Sequence, residues 1–390
     1  MLPLDGIRVL DFTQVAGGPY GAQILGDFGA DVIKVEPLTG DHFRGKFNGT
    51  WCFSLNRNKR GLAVSLKTEE GCEIIRKLIE GADVFFEAFV PGVMEKLGFG
   101  YEAVKAMNPK IIYCSFSGYG QIGPFSNRAG YDVCAQAESG IMASTGIEGE
   151  PYVRIGASTI DYGTGQNAVI GILLAIIDRA KTGEGQRIDV SLINTAVSWM
   201  NYRITYYSLT GENPVRVGTA AAFSCPYQVF QTADKPMFIG VTTDKMWKAF
   251  CRDFELTELG ADSRFETNDK RLEHRDILVS ILEEKLLKIS SGDMTEKLRA
   301  IGIPYAEVLK VGEMMELPHV KETEMVVEKD STNHGRLAMP GIPIRLSRTK
   351  GQIRRIMPEV GEHTDEILKE IGYSDEQIDR LQQKGAVGLG

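Results

Sequence analysis

The sequence is poor in metal-ligating and disulfide-forming patterns and has no long apolar run. Its six cysteines show no C-x-x-C spacing, and no histidine lies between His42 and His274. We therefore expect no disulfide framework and no metal site, because zinc sites need clustered ligands. The longest apolar run, residues 168–177, is well short of the roughly 20 residues of a membrane helix, and the N-terminus lacks a signal-peptide pattern. These absences predict a cytoplasmic protein that does not span a membrane.

Basic charge is also in deficit, since 44 Lys and Arg against 52 Asp and Glu give a net charge of −8. This balance opposes non-specific nucleic-acid binding, which depends on phosphate neutralisation. One stretch differs, because residues 42–68 contain no acidic residue. Its basic residues would suit a small polyphosphate ligand or form a solvated surface run, and charge alone does not choose between the two. They are Arg44, Lys46, Arg57, Lys59, Arg60 and Lys67.

The chain length predicts two domains, because 390 residues exceed the ~250–300 beyond which a single core stops growing. A segment rich in glycine, alanine and small polar residues, 209–225, is interpreted as a linker. We predict a large domain over residues 1–208, a small α+β domain over 226–333, and a return to the large domain over 334–390.

Short β-branched runs alternate with helical patterns in the first part of the chain. This alternation predicts an α/β fold with a doubly wound parallel sheet. In such sheets ligands bind beyond the carboxyl ends of the strands, which here means the loops around 13–18 and 87–91. The predicted strands are 8–12, 31–36, 62–66, 83–87, 111–116 and 187–190, followed by a hairpin of 227–231 and 236–241; the predicted helices include 19–28, 69–79, 92–98, 166–179, 245–254, 271–287 and 293–301.

Asp161 lies in a turn of small residues, 156–165, directly ahead of the predicted apolar helix 166–179. A carboxylate at a helix N-terminus feels the partial positive charge of unpaired N–H groups, so we expect Asp161 to stay ionised and to be the best nucleophile candidate. The alternative is that Asp161 only caps a core helix, because aspartate is a favoured N-cap residue.

The first strand-to-helix junction, 13–21, is similar to a nucleotide-binding turn. Its glycines follow G-G-x-x-G and not G-x-G-x-x-G, and Pro19 suits a first helical position better than a pyrophosphate clamp. Tight packing of helix on strand explains these glycines, so NAD binding is not favoured.

Taken in order, several segments together with Asp161 closely resemble the family III CoA-transferases, the group that includes formyl-CoA transferase and carnitine CoA-transferase. The resemblance covers nearly the whole chain. The segments that carry it are 4–11 (LDGIRVLD), 29–36 (GADVIKVE), 58–59 (NK), 91–98 (PGVMEKLG), 117–120 (SGYG), 182–186 (TGEGQ) and 361–366 (GEHTDE).

The resemblance implies an interlocked homodimer, with a Rossmann-like CoA-binding large domain built from both chain ends and a small central domain. It implies that Asp161 attacks an acyl-CoA thioester, with acyl-CoA and a small carboxylic acid as substrates and no permanently bound cofactor. Val64 and Phe89 could equally be core residues at strand ends. The implied CoA contacts are Val15, Ala16, Gly17, Val64, Lys67, Ala88, Phe89, Val90, Lys96, Arg128, Tyr131 and Asp132.

Three departures count against formate and oxalate as substrates. Lys96 and Pro37 stand where formyl-CoA transferases have arginine, and the glycine loop of oxalate-using members is absent near residues 218–222. The sequence does not identify the acids.

Two alternatives remain open at this stage. The same fold serves α-methylacyl-CoA racemases, whose histidine falls at Tyr131, where a phenol with an ordinary pKa near ~10 is a poor proton-exchanging group at neutral pH. The chain could also be a non-catalytic CoA-binding dimer in which Asp161 is structural.

Overall fold

The computed structural model describes residues 1–331 and 335–390, with the Asn48 side chain left out. Twelve β-strands lie in these residues. They are β1 (Arg8–Phe12), β2 (Asp31–Glu36), β3 (Lys59–Val64), β4 (Val84–Glu87), β5 (Ile112–Ser117), β6 (Arg187–Ser191), β7 (Tyr227–Phe230), β8 (Met237–Gly240), β9 (Tyr305–Glu307), β10 (Val326–Ser331), β11 (Gly335–Pro340) and β12 (Val387–Gly388).

Seventeen α-helices lie in the same residues. They are α1 (Gly17–Asp27), α2 (Thr50–Leu55), α3 (Glu69–Glu80), α4 (Val93–Lys96), α5 (Tyr101–Met107), α6 (Asp132–Glu138), α7 (Thr159–Thr182), α8 (Leu192–Thr210), α9 (Asp244–Asp253), α10 (Thr257–Ala261), α11 (Asn268–Glu273), α12 (Arg275–Leu286), α13 (Ser291–Ile301), α14 (Val311–Glu316), α15 (Pro318–Glu322), α16 (Thr364–Glu370) and α17 (Asp375–Gln383).

The chain divides into two compact units. The first comprises Met1–Met142, Arg154–Gly211 and Glu322–Gly390, and the second comprises Ala143–Val153 and Glu212–Lys321. The sequence pattern places residues 143–153 in the first domain, whereas Ile147 pairs with Val217 in the second unit. His334 and the predicted boundary between residues 333 and 334 lie outside the described residues. The domain assignment otherwise stays a prediction.

The first unit contains a seven-stranded sheet with the order β12-β3-β2-β1-β4-β5-β6. All its strands are parallel except β12, which pairs antiparallel with β3. The α/β fold with a parallel-dominated sheet is therefore confirmed, and the antiparallel edge strand is an addition. The strand order reverses between β1 and β4, so the predicted crevice loops flank this switch point.

Alternate residues of the central strands enter two separate cores. Leu10 and Phe85 pack on one face with α3, α5, α16 and α17, whereas Val9 and Phe86 pack on the other face with α1 and α7. Since side chains alternate along a strand, this pattern places helices on both faces of the sheet.

The second unit is built around a three-stranded sheet with the order β7-β8-β9. The predicted hairpin is confirmed, since β7 and β8 pair antiparallel. The single helix predicted over 271–287 is wrong, because the helix breaks at His274 between α11 and α12. A core around Trp247 and Phe250 packs these helices on the sheet.

Helix α7 is longer than predicted and begins at Thr159, so Asp161 lies inside its first turn and not ahead of it. Among the described residues it is the one helix that is long and apolar enough to cross a membrane, with a mean hydropathy of 1.3 in its most apolar window. Core helices often meet the same criterion, and 44% of that window is buried inside the protein.

Candidate active site

Asp161 is the third residue of α7, and Ser158 occupies the N-cap position. The alternative in which Asp161 caps the helix is therefore wrong. Within residues 1–331 and 335–390, the Asp161 carboxylate has no hydrogen-bond or ion-pair partner. A carboxylate in this state is available for chemistry.

Asp132 takes the place at the helix end that was predicted for Asp161. Its Oδ2 accepts hydrogen bonds from the backbone N–H groups of Ile160 at 2.8 Å and Asp161 at 3.1 Å. Its Oδ1 accepts from the Gln136 amide, whose own oxygen accepts the Ile155 N–H at 2.9 Å. Asp132 is predicted as a CoA contact, yet its side chain is buried and fixes the first turn of α7.

The surroundings of Asp161 shift the pKa of its carboxyl group. Burial, and then the nearby negative charge of Asp132, raise the pKa of Asp161 to about 7. The expectation that the helix end keeps Asp161 fully ionised at neutral pH is wrong, because burial and the charge of Asp132 raise its pKa more than the helix end lowers it. Asp161 is therefore poised between its two protonation states near neutral pH.

Helices α1 and α7 approach closely because glycines line their contact. A Cβ on Gly17 would lie 2.5 Å from the Asp161 carbonyl oxygen, and a Cβ on Gly165 would lie 2.3 Å from the Gly17 oxygen. No larger residue fits at either position. The structure thus brings the predicted site residues Gly17 and Asp161 together through backbone contact.

The loop between β1 and α1 has an unusual backbone. Val15 has φ of 70°, in the left-handed region that β-branched residues rarely adopt. Ala16 forms the N-cap of α1 without a side-chain cap, and within the described chain no acceptor is found for the Ala16 and Gly17 N–H groups. The loop therefore offers donors near Asp161.

The loop after β4 lies beside this loop, because β1 and β4 are neighbours and Phe12 is paired with Glu87. Phe89 donates its N–H to Glu87 at 2.9 Å, and burial raises the pKa of Glu87 to about 7. Ala88 and Phe89 are partly buried, whereas Val90 is exposed. These predicted contacts share the edge of the sheet with Val15.

The remaining predicted contacts differ in character. Lys67 and Lys96 are exposed and have no acidic partner in the described parts of the chain. Val64 is buried in the core, which agrees with the alternative that it is a core residue at a strand end. Arg128 is bound to Glu138 at 2.7 Å, and Tyr131 is 61% exposed before α6. The lysines are thus the free cations of this set.

Four of the six basic residues in 42–68 form ion pairs inside the protein. For these four, neither the polyphosphate site nor the solvated surface run is correct. Lys59 and Arg60 are consecutive residues of β3 and point to opposite faces of the sheet, and each meets an acid there. The ion pairs are Arg44 with Glu36, Arg57 with Asp27, Lys59 with Asp11 and Arg60 with Asp31. Lys46 and Lys67 alone are left for a phosphate.

Sequence reasoning missed a cavity of about 470 Å³ in the first unit. Its wall includes Trp51, Met339, Met357 and Tyr162, the residue after Asp161. The Trp51 indole N–H donates to the Val15 carbonyl at 2.8 Å. No motif marks these residues, because the β10 and β11 hairpin that brings Met339 here lies far along the chain.

Comparisons with known proteins identify the family. The model of CoA-transferase family III matches residues 4–364. Succinyl-CoA:glutarate CoA-transferase of Homo sapiens is 37% identical, over 99% of this chain and 90% of that protein. Acetyl-CoA:oxalate CoA-transferase of Acetobacter aceti is also 37% identical, over 88% of this chain and 89% of its own length.

A solved structure agrees with this result. The CAIB/BAIF family protein from Brucella suis is 34% identical with a TM-score of 0.87, and the match covers 95% of this chain and 99% of that one. The chain therefore belongs to CoA-transferase family III.

Proposed function

We propose that this CoA-transferase moves CoA from an acyl-CoA thioester to a carboxylic acid through covalent intermediates on Asp161. The observation that carries the proposal is the carboxylate of Asp161, which has no partner in the described chain and belongs to a residue of the first turn of α7 whose backbone packs against Gly17. A carboxylate whose oxygens are not occupied by other donors is available to attack an acyl carbon. Other carboxylates of this region, such as Asp132, are fully engaged.

The reaction has four steps. The Asp161 carboxylate attacks the thioester carbonyl and expels CoA thiolate, which leaves an aspartyl acyl anhydride. The thiolate attacks the Asp161 carbonyl, forms an aspartyl-CoA thioester and releases the donor acid as its carboxylate. The acceptor carboxylate then attacks this thioester, giving a new anhydride and thiolate. Attack of the thiolate on the acceptor acyl carbon yields the new acyl-CoA and restores Asp161.

Each step exchanges activated acyl groups of comparable energy, so the protein must mainly stabilise oxyanions and exclude water. The N–H groups of Ala16 and Gly17 are suitable donors because they lack acceptors in the described chain and lie beside Asp161. A carboxylate with a pKa near 7 is also more basic than an ordinary aspartate, which favours attack once it is ionised.

We propose that CoA lies along the carboxyl edge of the sheet, over the loops after β1 and β4. The exposed cations Lys67 and Lys96 suit its phosphates. Arg128 would contribute only by sharing or leaving Glu138, and Val64 only through its backbone. In this arrangement Asp132 acts by positioning Asp161 and not by touching CoA.

The acids exchanged are inferred from the relatives. Their names include succinate, glutarate and oxalate, so short dicarboxylic acids are the class we propose for this chain. The relative named for oxalate is as identical as the one named for glutarate, so oxalate stays within the proposed class.

We also propose a cytoplasmic interlocked homodimer, with the first unit as the large CoA-binding domain and the second as the small domain. Ile170, Leu174 and Ile177 are spaced along one face of α7 and are 55%, 62% and 56% exposed. Such a stripe in a single chain favours a protein partner, and a second copy would cover it. Light scattering should give twice the mass of the chain, and a monomer would contradict the proposal.

Trapping tests the covalent mechanism. The protein is incubated with succinyl-CoA and hydroxylamine, and the peptide that contains Asp161 is examined by mass spectrometry. We expect a hydroxamate at Asp161, since hydroxylamine attacks both the anhydride and the thioester. Asp161→Asn should give none, whereas Asp178→Asn, at an exposed position of the same helix, should trap normally. Transfer without any trappable adduct would contradict the covalent mechanism.

A further inference from the structure

The loop of residues 13–19 bears a strained residue, Val15. A β-branched side chain rarely adopts a φ of 70°, so surrounding contacts must hold Val15 in place. The loop leads directly into Gly17, which touches the Asp161 backbone. Whatever fixes Val15 therefore also fixes the approach to Asp161.

Three carbonyls of this loop are bound by side chains from outside it. Trp51 Nε1 donates to Val15 O at 2.8 Å, Lys34 Nζ to Thr13 O at 3.2 Å, and Lys59 Nζ to Pro19 O at 3.0 Å. Lys34 and Lys59 are fully buried and are paired with Asp41 and Asp11 respectively. The two lysines hold the ends of the loop and Trp51 holds its middle.

The Trp51 bond also sets the direction of an N–H group. A peptide bond is planar and trans, so the Val15 carbonyl and the Ala16 N–H point in opposite directions. With the carbonyl bound to Trp51, the Ala16 N–H is turned to the other side of the loop. That N–H has no acceptor in residues 1–331 and 335–390.

We propose that Trp51 is a positioning residue for CoA transfer, whose indole N–H holds Val15 in its left-handed backbone and so aims the Ala16 N–H at the acyl-CoA. The inference rests on the proposed chemistry at Asp161. Trp51 also lines the cavity whose wall includes Tyr162, the neighbour of Asp161, so the hydrogen bond lies in the same part of the first unit as the proposed nucleophile.

The hydrogen bond can be removed without removing the ring. Trp51 is partly buried, and its ring stacks with Phe47 at a centroid distance of 6.0 Å, a contact that phenylalanine can keep. Glycine adopts left-handed backbone without strain, so Val15→Gly removes the need for a clamp. Combining Trp51→Phe with Val15→Gly therefore distinguishes a positioning role of Trp51 from a role in overall stability.

The test is a double-mutant cycle of Trp51→Phe and Val15→Gly, assayed with succinyl-CoA and glutarate. We expect Trp51→Phe to lower kcat about 10- to 100-fold, as small misplacements of reacting groups do. Amide hydrogen exchange over residues 13–21 should become faster. In the double variant, Val15→Gly should recover at least half of the decrease in log kcat that Trp51→Phe causes alone.

Trp247→Phe is the matched control, because the Trp247 indole N–H has no acceptor among the described residues and lies in the second unit. It should leave kcat and exchange over 13–21 unchanged. Unaltered exchange in Trp51→Phe, or a loss that Val15→Gly does not reduce, would overturn the proposal. If no variant transfers CoA between these acids, the substrate proposal fails, and the exchange data still decide the role of Trp51.

Discussion

The loop of residues 13–19 and the first turn of α7 meet at Gly17, yet they treat their polar groups in opposite ways. In the loop, the carbonyls of Thr13, Val15 and Pro19 each have a side-chain donor. In α7, the Asp161 carboxylate has none in the described chain, and Asp132 takes the nearby N–H groups. The fold satisfies the carbonyls that hold the loop in place and leaves the Asp161 carboxylate, the group that would react, without a partner in the described chain.

The largest effect is expected from removing the Asp161 carboxylate. Asp161→Asn should lower kcat by at least roughly 10⁴-fold, because an amide cannot form the anhydride. CoA binding, measured by calorimetry, should change little, since the proposed CoA contacts lie on the loops after β1, β3 and β4. Activity of this variant above a tenth of the wild type would show that Asp161 is not the nucleophile.

The pH dependence tests whether Asp161 reacts as its ionised form. With a pKa of about 7, the carboxylate should lose activity about tenfold for each pH unit below that value and reach a plateau above it. The measurement is kcat/KM for succinyl-CoA from about pH 5.5 to about pH 9. Because kcat/KM reports on the free enzyme, a profile that is flat down to pH 5.5 would mean that Asp161 has an ordinary pKa in the assembled protein.

Asp132→Asn tests what the charge at the end of α7 does to Asp161, because it removes that charge while keeping an acceptor oxygen. The negative charge of Asp132 raises the pKa of Asp161, so the midpoint of the pH profile should move down, by up to about one unit. We expect kcat to fall about tenfold as the first turn loosens.

Asp132→Glu serves as the control for this prediction, since it retains the charge. Its pH midpoint should stay near that of the wild type even if kcat falls. An unmoved midpoint in Asp132→Asn would show that burial alone sets the pKa of Asp161.

The sequence predicted the central strands of the sheet well because they are buried on both faces and form apolar runs bounded by turns. The strands β1 and β2 were predicted to the residue. Asp161 was chosen by the small residues around it and by the family resemblance. The environment of Asp161 was not predictable, because Asp132 is distant from it in the sequence and comes close to it only in the folded chain.

The basic stretch shows the same limit. Lys59 and Arg60 read as free cations in sequence, since their partners Asp11 and Asp31 lie on other strands of the sheet. Trp51 gave no signal either, because a tryptophan ahead of Cys52 and Phe53 indicates packing and not a hydrogen bond to the Val15 carbonyl. Local patterns in a single sequence do not show which polar groups will pair when they are far apart along the chain.

The smallest expected effect concerns stability. The pKa of Asp161 is raised in the folded protein, so folding favours its protonated form, and that contribution is lost as pH rises from the ordinary aspartate range through about 7. Asp161→Asn does not titrate, so it should become more stable than the wild type with rising pH, by about 1–3 kcal/mol at pH 8. Thermal unfolding at pH 5 and pH 8 measures this, with Asp178→Asn as the exposed control. A difference that does not grow between the two pH values would mean that the Asp161 carboxylate is solvated in the folded state, and the contrast between the two regions would then lie in geometry and not in charge.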